Sequence, residues 1–326
     1  MRYTPFMSTG VIDMAYETTM KDLVVKVHKV FVDNKNKLPL LKTFKNGVLP
    51  PLPAFPALSI LPETDIYIYG ISGGKYKVRR NLSIQLITKG LNKRVNRDQL
   101  TEMMDGISRI IRDNSTFEDV CYDSFIEVQD LDDPVEKSNS ILSFGVMHLS
   151  CLSYETLPVI RFNTVDLYES RGSHLLSQIY DKFIEYKNHP TYPLTALKSL
   201  NIQVMKPTIA FPSVLISEMG ADRRRRLAGI DLIDRDVRIE IFTKLLDKDF
   251  ALFSNLDITE RIKRILQIDT NLSGATIDSN ILRIDYTRTR SDTAGLLYNS
   301  IISYSCITQE YLTQEEVMNE KDKKSW

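Results

Sequence analysis

The stretch Ile84-Gln-Leu-Ile-Thr-Lys-Gly-Leu-Asn-Lys93 returns 155 positions later as Ile239-Glu-Ile-Phe-Thr-Lys-Leu-Leu-Asp-Lys248. The same shift superposes further short segments: Ile107, Arg109 and Ile110 on Ile262, Arg264 and Ile265, Asp123-Ser124 on Asp278-Ser279, and Ser150-Cys151 on Ser305-Cys306. A repeat of this length is domain-sized and lies well beyond the roughly 20–50 residues of solenoid repeats. The sequence therefore predicts two homologous domains in tandem.

A proline-rich signature marks the same point in each copy. Pro51-Leu-Pro-Ala-Phe-Pro56 corresponds to Pro207-Thr-Ile-Ala-Phe-Pro212, and an apolar run follows each of them. Proline is excluded from helix interiors and central strands, so we expect an irregular passage that leads into a strand. We also predict that Phe55 and Phe211 are buried where this passage enters the sheet.

Length and composition set the broad class. The 326 residues fit two domains, each large enough to bury a core, and 42 basic residues balance 42 acidic ones. A neutral total gives no general argument for nucleic acid as a partner and favours association. Neither an apolar run of membrane-spanning length nor a signal peptide is present, which predicts a protein made in the cytoplasm without membrane contact.

Cysteine usage points the same way. Cys121, Cys151 and Cys306 are odd in number, fit no C-x-x-C spacing and lie in apolar runs. We predict buried thiols in a reducing compartment, with no disulfide and no zinc site.

Hydrophobic periodicity predicts the same element order in both copies, α-β-β-α-β-β, and so an α+β fold with an antiparallel sheet and helices on one face. Helices are predicted over about 18–34 and 97–112 in the first copy and about 173–187 and 255–268 in the second. The predicted boundaries are an N-terminal arm over 1–15, a first domain over 16–158, a second over 159–313, and a charged tail over 314–326.

Motifs that would indicate catalysis are weak. Gly70-Ile-Ser-Gly-Gly74 fits G-x-S-x-G, but strand-like segments flank it on both sides, whereas a nucleophile elbow needs a helix after it. We therefore interpret it as a hairpin turn. The four histidines are scattered, and no phosphate-binding or dinucleotide-binding motif occurs, so we predict no catalytic, cofactor-binding or metal-binding residue.

An acidic segment is the first interface candidate. Asp130, Asp132 and Asp133 lie with Glu136 in a predicted turn between the last two strands of the first copy. Carboxylates in this density could bind a divalent cation. The second copy carries basic residues in the same region, so we favour complementary charge between neighbouring subunits.

The second interface candidate is Asp222-Arg-Arg-Arg-Arg-Leu227, in the first predicted hairpin of the second copy. Arg223, Arg224, Arg225 and Arg226 cannot all face one way in a strand, so at least two should reach solvent or a partner. Three alternatives stay open: a solvated hairpin, a carboxylate-rich protein partner that suits the arginine fork, or DNA phosphate. DNA is disfavoured because other basic clusters are few.

The α-β-β-α-β-β layout, with Ala54-Phe55-Pro56 and its repeat Ala210-Phe211-Pro212, resembles the tail-terminator and head–tail-joining proteins of tailed bacteriophages. Those proteins are small α+β domains that assemble into rings, although they usually carry one such domain rather than two. The resemblance implies a virion protein without enzymatic activity, with copies of itself and other neck or tail proteins as partners. The alternatives are another self-assembling or adaptor protein, such as a baseplate or secretion-tube component, and an enzyme with a site between the domains.

Overall fold

The structure is a computed structural model. It describes residues 18–50, 53–71, 75–137, 139–156, 172–204, 210–227, 230–245, 248–290 and 296–311. The predicted N-terminal arm and the charged C-terminal tail both lie outside these residues, as does Ser72 of the G-x-S-x-G segment.

The described residues contain four α-helices, each near a predicted position: α1 Met20–Asp33, α2 Lys93–Asp113, α3 Gly172–Glu185 and α4 Lys248–Ile268. Helix α1 starts at a capping box, in which Thr19 accepts a hydrogen bond from the Asp22 amide and Asp22 accepts one from the Thr19 amide. Helix α2 begins one turn before its predicted start. The reason is local: the Asn92 side chain accepts hydrogen bonds from the first amides of the helix and so fixes its N-terminus there.

The strands are β1 Thr43–Asn46, β2 Ala57–Ile71, β3 Lys75–Gly90, β4 Asp123–Leu131, β5 Val135–Lys137, β6 Ser140–Thr156, β7 Ser199–Ile202, β8 Ser213–Leu227, β9 Ile230–Leu245, β10 Asp278–Arg290 and β11 Leu296–Tyr311. They form one 11-stranded sheet. The α+β class is therefore confirmed, in the form of a large sheet with four helices. Strands β2 and β3 flank the G-x-S-x-G segment on its two sides, as the hairpin interpretation requires.

Two details of the prediction are wrong. The sheet is mixed, because β1 pairs with β2 and β7 with β8 in parallel, whereas purely antiparallel sheets were expected. The two short strands were not predicted; each lies between a helix and the proline signature. Thr43-Phe-Lys-Asn46 and Ser199-Leu-Asn-Ile202 contain no proline themselves, so nothing prevents them from pairing.

The strand order is β4-β6-β3-β2-β10-β11-β9-β8-β7, with β1 beside β2 and β5 beside β6. Each half thus orders its strands in the same way: β4-β6-β3-β2-β1 in the first, β10-β11-β9-β8-β7 in the second. The halves meet where β10 pairs with β2, so the end strand of one half lies beside the opposite side of the other.

The helices form a layer on the sheet, in which α1 contacts both α2 and α4, and α4 contacts α3. Two apolar clusters fill the space between the layers, and each takes residues from both sides of the predicted domain boundary. Ala251, Leu252 and Leu256 of α4 join the core of the first half, and Tyr67 and Val78 join that of the second. The halves therefore share their cores rather than packing as two closed units.

The proline passages differ in one respect from expectation. Phe55 and Phe211 are half-buried, not buried, although the prolines after them are buried and both Phe-Pro peptide bonds are cis. The aromatic ring is left at the rim of the sheet, where Lys89 Nζ lies 5.9 Å from the centre of the Phe55 ring. All three cysteines are free and buried, as predicted.

Candidate functional site at the junction of the halves

The junction is a short antiparallel pairing with a buried centre. Thr64–Ile66 of β2 pair with Arg283–Asp285 of β10, and Ile284 lies opposite Asp65. Both of these side chains are almost completely buried, with exposed fractions of 1%. The side chains of Ile284 and Asp65 are therefore both buried where this short backbone pairing joins the halves.

Asp65 belongs to a network of buried charges that crosses the junction. Its carboxylate lies 3.6 Å from Arg80 Nε, and it accepts a hydrogen bond of 3.2 Å from the Tyr286 hydroxyl. Arg80 also contacts Ser153 and Glu155 of β6. Glu155 in turn accepts a 2.8 Å hydrogen bond from Lys263 of α4, in the second half of the chain.

The network is balanced in charge, and it is buried at its centre, while its members Glu260 and Arg264 remain 23% and 13% exposed. Lys263 Nζ also lies 2.6 Å from Glu260, which accepts a 2.9 Å hydrogen bond from Arg264. Three cations therefore face three carboxylates. Arg80 and Lys263 have no exposed surface, and Glu155 is 1% exposed. Because a buried charge is costly unless it is paired, removal of one member of this network would leave an uncompensated charge at the junction.

Burial and pairing move the carboxyl pKa values in opposite directions. For Asp65, desolvation raises the pKa to about 6, and the attraction of Arg80 offsets only part of this effect. For Glu155, burial also acts to raise the pKa, but Lys263 and Arg80 together outweigh it and lower the value to about 2. The junction thus holds one proton-sensitive carboxylate beside one that is firmly ionised.

An equivalent cluster occupies the second half, and sequence reasoning missed both. Arg235 contacts Glu218 and Glu310, and its Nε donates to the Thr308 hydroxyl at 3.0 Å. Arg235, Thr308 and Glu310 follow Arg80, Ser153 and Glu155 by 155 positions each. That shift was the available signal, but isolated polar matches were not singled out among the aliphatic ones.

The two clusters differ in what covers them. The first half's cluster lies under β10 and α4 of the second half. In the second cluster the side chains of Glu218 and Glu310 remain 22% and 28% exposed. No strand of the described residues lies beside this part of β8 on its outer side.

A cavity of about 150 Å³ also lies at the junction, where an enzyme with an interdomain site would bind its substrate. Its lining includes Glu63, Asn255, Tyr286 and Asn299. This volume is below the roughly 300–1,000 Å³ typical of small-molecule sites, whereas a second depression over the same junction, whose lining includes Thr64, Arg283 and Asp285, has about 630 Å³. Glu63 is the one carboxylate of the smaller cavity and is paired with His148, whose Nδ1 lies 2.9 Å away.

The arginine run lies at the end of β8, in the β8–β9 hairpin, as predicted. Its backbone pairs with β9, with an irregularity between Arg223 and Arg225. Arg224 is exposed and lies 3.6 Å from Asp234 of β9. The side chains of the other three arginines lie outside the described part of the structure.

The acidic candidates lie at the opposite end of the sheet. Asp130 is on β4, and Asp132 and Asp133 follow it, all three exposed. Across the described residues, no group of three or more His, Cys, Asp or Glu side chains is arranged to hold a metal ion. The structure therefore does not bring the aspartates and arginines together within one chain.

The histidines have individual surroundings in the described structure. The His28 ring stacks on Phe44 with 4.3 Å between ring centres, and the His189 ring stacks on Tyr186 at 4.4 Å. His148 pairs with Glu63, and His174 is exposed at the start of α3. These four side chains are thus placed separately.

No protein-family model matches the sequence, and no curated protein is significantly similar to it. None of the helices within the described ranges has the length and apolar character needed to cross a membrane.

Proposed function

We propose that this chain is a structural virion protein that assembles into a ring at the neck or tail end of a tailed bacteriophage, as a tail terminator or head–tail connector component. We further propose that it arose by tandem duplication of one α-β-β-α-β-β unit. The proposed partners are copies of the chain itself and other neck or tail proteins. No catalytic, cofactor-binding or metal-binding residue is assigned.

The observation that carries the proposal is the joining of the halves. Two units with the same strand order meet through β2 of one and β10 of the other, which are different edges. Such a contact is heterologous: each unit offers one edge and leaves its other edge for a further unit. Repetition of a heterologous contact generates a closed ring or an open filament. The pairing of the two halves within this chain is therefore one heterologous contact of the kind that the proposed ring would repeat.

Electron microscopy of the purified protein tests assembly. We expect negative-stain images to show rings, and mass photometry to give a mass that is an integral multiple of 37.5 kDa. Monomers at every concentration up to the solubility limit would contradict the proposal. Genes for a portal or tape-measure protein beside its own would favour the neck or tail end over a baseplate or secretion tube.

A further inference from the structure

We propose that the strand edges left open at the two ends of the sheet pair with each other between neighbouring copies of this chain. Residues Val128–Asp130 of β4 in one copy would pair with Gly220–Asp222 of β8 in the next. The proposal rests on the proposed self-assembly and identifies the surfaces that carry it. The partner is a second copy of this chain, bound edge to edge.

The internal junction supplies the geometry. Thr64–Ile66 pair with Asn81–Arg79 of β3, and Gly220–Asp222 pair with Asp236–Asp234 of β9, 155 positions later. Gly220–Asp222 are thus the structural counterparts of the residues that receive β10 at the junction.

The donor edge has its counterpart as well. Arg283–Asp285 of β10 pair with Ser303–Ile301, and Val128–Asp130 of β4 pair with His148–Val146. These partners are again 155 positions apart. Both strands also carry a register shift just before the triplet, between Ile281 and Arg283 and between Ile126 and Val128. Edge strand β4 therefore has the same register irregularity as β10, at the equivalent position.

The outer side of β8 is open where β4 would bind. Short strand β7 pairs with Ser213–Ile216, as β1 pairs with Ala57–Ile60 in the first half. The remainder of β8 has no second strand partner within the described ranges. A Cβ atom placed on Gly220, which would project from the face of the sheet, would meet no other atom within 4 Å, so no described side chain crowds this face of β8. Unpaired edge amides and carbonyls of this kind are templates for another strand.

Strand β4 carries partly exposed apolar side chains. Phe125, Val128 and Leu131 are 40–47% exposed. Gln129 is exposed at the free edge of β4. Its counterpart in β10, Ile284, is only 1% exposed because β10 is paired with β2. The helix flank beside β4 is polar, with Thr101 and Glu102 exposed. Backbone pairing would thus carry most of the contact, which suits subunits that must remain soluble before they assemble.

The antiparallel register also determines which charges meet. Asp222 would lie opposite Val128, so the arginine run beyond Asp222 extends towards Glu127 and Asp123 of the neighbour. Asp130 would face Gly220, which has no side chain. The complementary charges are therefore Glu127 and Asp123 with the arginines, rather than Asp130, Asp132 and Asp133.

Disulfide cross-linking tests the pairing. Gln129 and Ala221 would be directly opposite each other between copies. Within one chain they are separated by seven strand spacings of about 4.8 Å, or roughly 34 Å, far beyond the ~7 Å limit between the Cα atoms of a disulfide. The double variant Gln129→Cys/Ala221→Cys, oxidised with diamide, should give a ladder of cross-linked oligomers on a non-reducing gel.

The controls separate this inference from the proposed function. Each single variant should remain uncross-linked, as should Leu91→Cys/Ala221→Cys, because Leu91 is 85% exposed but lies away from both edges. Unchanged melting temperatures show that the variants fold. Assembly by mass photometry without a ladder overturns the edge pairing and leaves the proposed function standing. A monomer at every concentration overturns both.

Discussion

At the scale of single residues, the two arginine clusters form a matched pair with different surroundings. Arg80 has no exposed surface, and its carboxylate partners Asp65 and Glu155 are buried with it. Arg235 is 7% exposed, but its partners Glu218 and Glu310 still reach water. Removal of one member of a buried pair leaves an uncompensated charge, whereas a carboxylate near the surface can be hydrated.

We therefore predict that Arg80→Met lowers the unfolding free energy by about 3–5 kcal/mol, and that Arg235→Met costs distinctly less. Urea denaturation of the two variants and the wild type measures both values. Assembly would bury Arg235 further, so the comparison belongs at protein concentrations where the chain is monomeric. Equal losses at the two sites would show that the junction does not isolate the first cluster from solvent.

The second residue-scale prediction concerns pH. Asp65 has a folded pKa of about 6, above its ordinary value of 3.8, so the folded protein takes up a proton between about pH 6 and pH 4 that the unfolded chain does not. The contribution of Asp65 to the free energy of unfolding therefore rises as the pH falls from about 6 to about 4. Relative to Asp65→Asn, the wild type should gain up to about 3 kcal/mol between pH 7 and pH 4.

Denaturation curves at a series of pH values give that difference. The Asn variant keeps an acceptor for the Tyr286 hydroxyl and removes the titration; it also removes the charge beside Arg80, so the comparison uses the change of the difference with pH and not its absolute size. Glu155, whose pKa is lowered to about 2, loses its contribution at lower pH in both proteins, so its effect cancels. Parallel curves for wild type and variant would place Asp65 in contact with solvent.

At the scale of the elements, local patterns predicted most of the fold. Apolar stripes such as Leu175, Ile179 and Phe183 placed the helices, because side chains three to four positions apart share one helix face. The short strands β1 and β7 could not be predicted from such a pattern. Each has only four residues and is held by parallel pairing with a strand that comes later in the chain, which is a tertiary effect.

The junction between the halves could not be predicted from local sequence patterns for the same reason. Pairing of β2 with β10 joins residues more than 200 positions apart, and neither segment carries a mark of its partner. The arginine clusters were visible in principle, since Arg80/Arg235 and Glu155/Glu310 follow the repeat. Their burial was not visible, because a charged residue in a strand is normally assigned to the solvent face.

The aromatic side chains at the element ends give a prediction that replaces the expected burial of Phe211. Phe183 of α3 is 1% exposed, whereas Phe211 is half-buried at the rim. Phe183→Ala should cost about 3–5 kcal/mol of unfolding free energy, and Phe211→Ala clearly less. Thermal melting of the two variants ranks them. A larger loss for Phe211→Ala would mean that the proline passage contributes more to the core than its exposure indicates.

At the scale of the whole molecule, the sheet ends in unlike edges, with an acidic strand at one end and the arginine run at the other. The core continues across the junction, so the chain acts as one building block with two different faces. A rigid block suits a ring, because the angle between successive contacts must be the same in every subunit for the ring to close. In the proposed ring, the buried charges at the junction would help to fix that angle inside the chain.

The arginine run gives the last prediction, and it separates a protein partner from DNA and from solvent. Replacement of Arg223, Arg224, Arg225 and Arg226 by serine should weaken assembly while leaving the melting temperature of the monomer unchanged. Exposed ion pairs contribute only about 0–1 kcal/mol each, so the loss per contact is modest and adds up around a ring. Sedimentation of wild type and variant over a range of salt concentrations measures the loss of assembly.

If the arginines bind DNA instead, the wild type should bind duplex DNA with an affinity that falls steeply with salt, and the variant should not bind. If neither property changes, the hairpin is a solvated one, and the contact between copies depends on backbone pairing alone.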